Sequence, residues 1–478
     1  MKNQKKILFI IPPISERIWS NHNNEIYLGL GYIARQLVEK GHKVKLIDAD
    51  SGFITLNSVI RKIKRINPDY IAMTSLFGSL KNAFRIARRA RNVSNAQIVM
   101  GGLPATFIPE FVLVKCKQID ILVRGEGEAT FLDIVNGLNL EKIDGISYRK
   151  ENKILHNKDR KFISDLDSLG FPLRKIFPMR KYKKMYHLHN STMLETSRGC
   201  PYGCDFCTQQ PKEGSRLRLR SPEMVIKELE HIKEDYKYIK FIKVVDNDFL
   251  MKTNHAKKIL KMIIQRKLNK RFHIMIASRV SSVLRGGEEI IYLLKKTNVN
   301  VIFLGIESAC DKYLQKIGKI NDRQKTIEVI KRLDKERIYP LASFIMGYPD
   351  ETLEDINQTF NFAKKLNTSM FRFNIITAYP GTRFFEECRK KGLIADSYNI
   401  FKLDNSHQTL KHNLNIKKQY RRLYRNYLLR WKYISGSNSG IRFMFFVYYF
   451  FFTEILTILI PIKKNIKKLI FGNNCFDK

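Results

Sequence analysis

Three cysteines, Cys200, Cys204 and Cys207, stand within eight residues in the stretch GCPYGCDFC. A thiolate is a soft, strongly donating ligand, so a cluster of this kind points to zinc or to iron and sulfide. A closed zinc site takes four ligands, usually as two pairs separated by a loop. The chain has no second C-x2-C pair, and the nearest histidines, His187 and His189, lack finger spacing. A four-iron, four-sulfur cluster held by three cysteines instead leaves one iron open to an external ligand. Gly199 and Gly203 allow the tight loop that such convergence of sulfurs requires. The other four cysteines, Cys116, Cys310, Cys388 and Cys475, are scattered without a pairing rhythm. A disulfide framework is therefore not expected, and a reducing cytoplasm is.

The elements that must position this loop alternate strand and helix. KILFIIPP, HKVKLIDAD, YIAMTSLFG, AQIVMGG and IDILVRGEGE read as buried strands, with amphipathic segments such as YLGLGYIARQLVEKG between them. That order predicts a parallel sheet of Rossmann-like type with helices on both faces, over residues 1–140. Ligands of such sheets sit at the carboxyl ends of the strands. Here those ends carry Asp48, Asp50, Thr74, Ser75, Gly101, Gly102 and the run Arg124 to Glu128. No G-x-G-x-x-G follows the first strand, which disfavours a dinucleotide. Residues 141–190 read as a hairpin and connector. A second alternation over 191–390 holds six strand–helix units and predicts a partial (β/α)6 barrel of TIM type. Its strand ends carry Asp246, Asp248, Ser278, Arg279, Glu307, Ser308 and Thr377. Residues 391–478 form a basic, aromatic, helical extension that includes the apolar stretch Phe443 to Ile460.

Composition narrows the partners less than its size suggests. The net charge of +41 is extreme, but the lysines are spread along the whole chain. Dispersed charge speaks to solubility and counterions more than to one docking face, and no RNA-binding module is recognisable. A zinc-containing nucleic-acid-binding protein is thus a remote alternative. The N-terminal apolar run is broken by Pro12 and Pro13 and shows no cleavage pattern, so it reads as a strand rather than a signal peptide. Phe443 to Ile460 is 18 residues long and contains Glu454, too short and too charged for a comfortable bilayer span. With arginines before it and lysines after it, it suits either a core helix or peripheral contact with the inner face of a membrane.

The cysteine loop, with Phe206 before its last cysteine and at the mouth of a six-unit barrel, resembles the radical S-adenosylmethionine enzymes. The order of YLGLGYIARQL, VKLIDAD, MGGLPATFIPE, LVRGEGEATF, VVDNDF, GIES, MGYPDET and AYPGT is similar to the subclass with an N-terminal cobalamin-binding domain. The resemblance implies that Cys200, Cys204 and Cys207 hold a four-iron, four-sulfur cluster whose open iron takes S-adenosylmethionine. An external electron donor would then drive reductive cleavage to a 5′-deoxyadenosyl radical, which abstracts hydrogen from an unactivated carbon. It implies contacts to S-adenosylmethionine from Phe206, Asp246, Asp248, Arg279 and Glu307. Asp246 and Asp248 would meet the methionine amino group, and Arg279 the carboxylate or a ribose hydroxyl. It implies a cobalamin site lined by Leu28, Gly29, Leu30, Ser75, Leu76, Gly101, Gly102, Gly125, Glu126, Gly127 and Glu128. The familiar D-x-H-x-x-G is missing after the first strand, so cobalt would receive no protein ligand from below. The expected activity is methyl transfer to an unactivated carbon of a small molecule, a lipid or isoprenoid among the candidates. Cyclisation, oxidation or carbon–carbon coupling by the same cofactors is the alternative.

Overall fold

The structure, a computed structural model, describes residues 4–14, 25–51, 54–184, 189–319, 322–366, 368, 370–403 and 407–428. The apolar stretch Phe443 to Ile460 lies outside them. The first sheet contains β1 (Lys6–Ile11), β2 (Lys43–Asp48), β3 (Tyr70–Ser75), β4 (Gln97–Gly102), β5 (Ile121–Val123), β6 (Ile146–Lys150) and β7 (Lys153–His156). Their order across the sheet is β2-β1-β3-β4-β5-β6-β7. The pairs from β2 to β5 are parallel, and the β6–β7 hairpin adds two antiparallel strands at the edge.

Alternation along these strands divides their side chains between two cores, as period-two geometry requires. Leu8 and Ile10 of β1 pack with Met73, Met100 and Leu122 beneath the helices Leu56–Ile66 and Leu80–Arg91. Phe9, Ala72, Val99 and Val123 face the other way and join a core that runs without a break into the second sheet. One continuous apolar interior therefore holds the two halves together, and hydrophobic burial sets their proximity.

The second sheet is built from β8 (Lys183–Lys184) and β9 (His189–Leu194) and, beyond a small ribbon of β10 (Ser197–Arg198) and β11 (Arg218–Leu219), five more strands. These are β12 (Ile239–Val244), β13 (His273–Ser278), β14 (Val299–Glu307), β15 (Tyr339–Met346) and β16 (Met370–Ile375). The order β16-β15-β14-β13-β12-β9-β8 makes six parallel strands with β8 antiparallel at one edge. β9 and β16 do not pair, so the barrel is open. Helices such as Pro222–Asp235 and Arg323–Lys335 cover its outside, each started by a side-chain cap, Ser221 or Asp322. The helix Ile416–Leu428 returns to the barrel and buries Ile416 and Leu423 in the common core.

Candidate active site

The cysteine loop hangs between β10 and β11, which pair antiparallel through Ser197 with Leu219 and Arg198 with Arg218. Cys200 N donates to Gly214 O at 3.0 Å, and Cys207 N to Cys204 O at 3.1 Å, so the loop closes on itself. Gly199 has φ +91°, and a Cβ there would lie 2.2 Å from Arg216 O, so only glycine permits this closure. Gly203 takes φ +58°, and its carbonyl accepts from Arg383. The three thiols are unpaired and half-buried. Burial pushes all three up, and proximity to one another adds to the effect at Cys200 and Cys207; Cys207 reaches about 11. Arg279 and Lys319 are the nearby cations that oppose this at Cys204. Among the described residues no group of three or more His, Cys, Asp or Glu is gathered to hold a single metal ion. Three thiols on one glycine-shaped loop, with cations beside them, are a donor set that fits an iron–sulfur cluster with one iron left free of protein.

The barrel's strand ends converge on this loop. Asp246, just past β12, is buried and accepts hydrogen bonds from Thr196 N at 2.7 Å, from Ser197 Oγ at 2.8 Å and from Thr196 Oγ1. Asp248 accepts from Ser278 Oγ and Ser282 Oγ, both at 2.6 Å. Burial raises both carboxyls, and these hydrogen bonds oppose the rise. The two aspartates are thus hydrogen bonded within the protein, tying β12 to the segment that leads into the cysteine loop and to the turn after β13. The Arg279 guanidinium lies 3.7 Å from the ring centroid of Tyr202, inside the loop. Glu307 ends β14 with φ +68° and meets Lys319 Nζ at 2.5 Å. Phe206 packs with Tyr348 and Phe384 in a satellite apolar cluster.

A cleft of about 530 Å³ opens between the two sheets. Its floor on the first sheet is Phe9, Ala72, Val99 and Val123, and its walls include the turns after β3, β4 and β5. Leu28, Gly29, Leu30, Leu76, Gly101, Gly102, Gly125, Glu126, Gly127 and Glu128 all line it. Ser75 lies beneath, with its hydroxyl 3.2 Å from Ser79 Oγ and bonded to Leu76 O. Gly102 has φ +99°, and a Cβ would fall 2.2 Å from Ser75 O; around Gly29 and Gly125 there is open space. No histidine is among the described residues that line the cleft. An apolar floor flanked by bare backbone fits the face of a large planar macrocycle such as a corrin.

The opposite wall belongs to the barrel: Met193, Glu195, Ser197, Arg198, Val245 and Asn247, with Glu213 beside the cysteine loop. Sequence reasoning missed Glu195, Arg198, Asn247 and Lys319. Burial raises Glu195 to about 7 despite its contact with Arg198. The signal for Glu195 and Arg198 was their position just ahead of the first cysteine; Lys319 offered none.

One cleft thus has glycine-rich strand ends on one side and, on the other, residues adjoining a loop of three thiols. Residues 194–363 match the Radical SAM superfamily, and residues 22–135 match the B12 binding domain. The chain is 34% identical over 436 residues to an uncharacterized methyltransferase of Pyrococcus horikoshii, covering 89% of this chain and 93% of that one. It is 28% identical over 386 residues to an anaerobic magnesium-protoporphyrin IX monomethyl ester cyclase of Rubrivivax gelatinosus, covering 78% and 68%. Its fold is shared with the radical S-adenosylmethionine methyltransferase TsrM of Kitasatospora setae, solved with cobalamin and a [4Fe-4S] cluster. The TM-score is 0.67 at 17% identity, over 81% of this chain and 75% of that one. The chain belongs to the cobalamin-dependent radical S-adenosylmethionine methyltransferase family. Its cofactors are a [4Fe-4S] cluster, S-adenosylmethionine and cobalamin. Among the described residues no helix is long and apolar enough to cross a membrane.

Proposed function

We propose that the protein methylates an unactivated carbon of a small molecule held in the cleft between the two sheets. The observation that carries this reading is that one cleft is lined both by the glycine-rich strand ends and by residues adjoining the cysteine loop. Cys200, Cys204 and Cys207 hold the cluster in this reading, while Arg279 and Glu307 contact S-adenosylmethionine. Leu28 to Leu30, Leu76, Gly101 with Gly102 and Gly125 to Glu128 surround cobalamin, and Ser75 supports Leu76 and Gly102 from beneath. Asp246 and Asp248 act through the hydroxyls and backbone they hold, keeping the barrel mouth rigid. When bound, the cofactors supply a transferable methyl group and a hydrogen-abstracting radical. The chain supplies alignment and a wall against solvent.

Within this class an apolar substrate, a lipid or isoprenoid, is favoured by the apolar tail sequence. The tail would bring the protein to the inner face of a membrane, and an external one-electron donor would serve the cluster. Similarity to a cyclase supports a second reading, radical chemistry without methyl transfer. The discriminating experiment supplies methyl-deuterated S-adenosylmethionine and a reductant to the reconstituted protein, together with lipid and aqueous cell extracts. A product carrying the deuterated methyl group is the expected result. Formation of 5′-deoxyadenosine and a new product without label would select the second reading.

A further inference from the structure

Arg198 spends every nitrogen of its guanidinium on a different carboxylate. Nη1 donates to Glu126 Oε1 at 3.1 Å, Nη2 meets Glu128 Oε1 at 2.9 Å, and Nε donates to Glu195 Oε2 at 2.8 Å. The guanidinium also lies 5.4 Å from the centroid of the Tyr32 ring. Arg218, its cross-strand partner, donates to both oxygens of Glu126, at 2.8 and 3.0 Å. Glu126 also accepts from Ile163 N at 2.7 Å. None of these side chains is more than one-seventh exposed, with Arg198 at 7% and Glu128 at 3%.

The placement gives the cluster its meaning. Glu126 stands in the turn after β5 and Glu128 opens the helix that follows it, Glu128–Val135, and both line the cleft on the side of the first sheet. Arg198, on the β10–β11 ribbon that carries the cysteine loop, precedes Cys200 by two residues. The turn itself is held from behind, because Arg124 donates to Ile146 O at 2.6 Å and to Asp159 Oδ1 at 3.1 Å. So the ion cluster joins a braced strand end of one cofactor face directly to the loop that carries the other.

Buried ion pairs contribute little net stability, because desolvation offsets most of their attraction. They do fix relative position, since moving either partner strands a charge in the interior. The continuous apolar core brings the halves together but tolerates small slides, as non-directional packing does. Chemistry that must deliver one substrate carbon to two cofactors needs placement to within about half an ångström.

We propose that Arg198, with Glu126 and Glu128, is a positioning clasp that fixes the separation between the cobalamin and the iron–sulfur cluster. The proposal rests on the reading that both cofactors bind on the faces assigned above. It is tested on the full-length chain, reconstituted anaerobically with iron and sulfide and loaded with hydroxocobalamin. After reduction to cob(II)alamin with a paramagnetic cluster, pulsed electron paramagnetic resonance reads the distribution of distances between the two centres. The parent is expected to show one narrow distribution. Arg198→Met should broaden it with iron content and corrin absorption unchanged, and Arg198→Lys should fall between, because an ammonium cannot address three carboxylates along fixed directions. An unchanged narrow distribution in a fully loaded Arg198→Met protein would overturn the clasp alone. If that variant fails to fold, Arg198→Lys, which keeps the charge but not the fork, decides: broadening supports the clasp and no change overturns it. A parent chain that takes up no corrin or no cluster would overturn the clasp and the functional reading together.

Discussion

The two sheets end differently where they face each other. The first presents glycine backbone and apolar side chains, and two cleft carboxylates just past β5, Glu126 and Glu128, are committed to arginines across the cleft. The second presents aspartates held by hydroxyls, a lysine–glutamate pair and the thiol loop. Each suits a different kind of ligand. A large flat macrocycle is accommodated by removing side chains, whereas a small charged cofactor and a metal cluster are held by supplying oriented polar ones. Because the two faces hold their ligands by different means, the two cofactor sites should fail independently.

The largest effects test that independence. Cys204→Ala should lose nearly all bound iron and sulfide while hydroxocobalamin still binds, measured by iron and sulfide analysis beside the corrin absorption band. Gly102→Ala should do the reverse. A Cβ there meets Ser75 O in a backbone conformation that disfavours it, at a cost of about 2–4 kcal/mol. Corrin binding should fall while reconstituted iron content stays near that of the parent. A Gly102→Ala protein that lost iron as readily as corrin would show that the two sites do not fail independently.

Smaller effects sharpen it. Asp246→Asn keeps the volume but replaces one acceptor oxygen with a donor, facing groups that already donate. A loss of about 3 kcal/mol is expected from urea denaturation, with corrin affinity unchanged. Glu195 supplies a pH dependence. Burial raises its folded value to about 7, so between pH 4.5 and 7 the folded state holds a proton that the unfolded state has released. Stability from this group is present at low pH and lost as pH rises through that window. Glu195→Gln removes the titration. Relative to the parent, the variant should therefore gain on the order of 2 kcal/mol between pH 5 and pH 8, read as the change in the difference of urea midpoints. A constant difference across that range would show that Glu195 ionises normally.

Much of this architecture was legible in the residues. Period-two apolar runs announce the strands because burial on alternate faces leaves that imprint, as Leu8 and Ile10 against Phe9 show. Local spacing announces the thiol loop, since all its donors lie within eight residues. The glycine ends of β4 and β5 were visible for the same reason, and they line the cleft together. What stayed hidden was pairing across distance. Arg198 reaches Glu126 across 72 residues, and Thr196 reaches Asp246 across 50. Such contacts depend on strand register and sheet curvature, which composition does not encode. Asp246 and Asp248 could be placed at a strand end from the chain, but the hydroxyls that occupy them could not. A net charge of +41 likewise gave no hint that the cleft wall would gather glutamates.

One chain should carry both cofactors across a single cleft. The direct measurement is metal, sulfide and corrin content of the anaerobically reconstituted full-length protein, with 5′-deoxyadenosine release on reduction with S-adenosylmethionine. About four iron and four sulfide per chain, a corrin absorption band and reductive cleavage are expected in the same sample. Bound zinc in place of iron, or a cluster that cleaves S-adenosylmethionine in a protein unable to retain cobalamin, would contradict it.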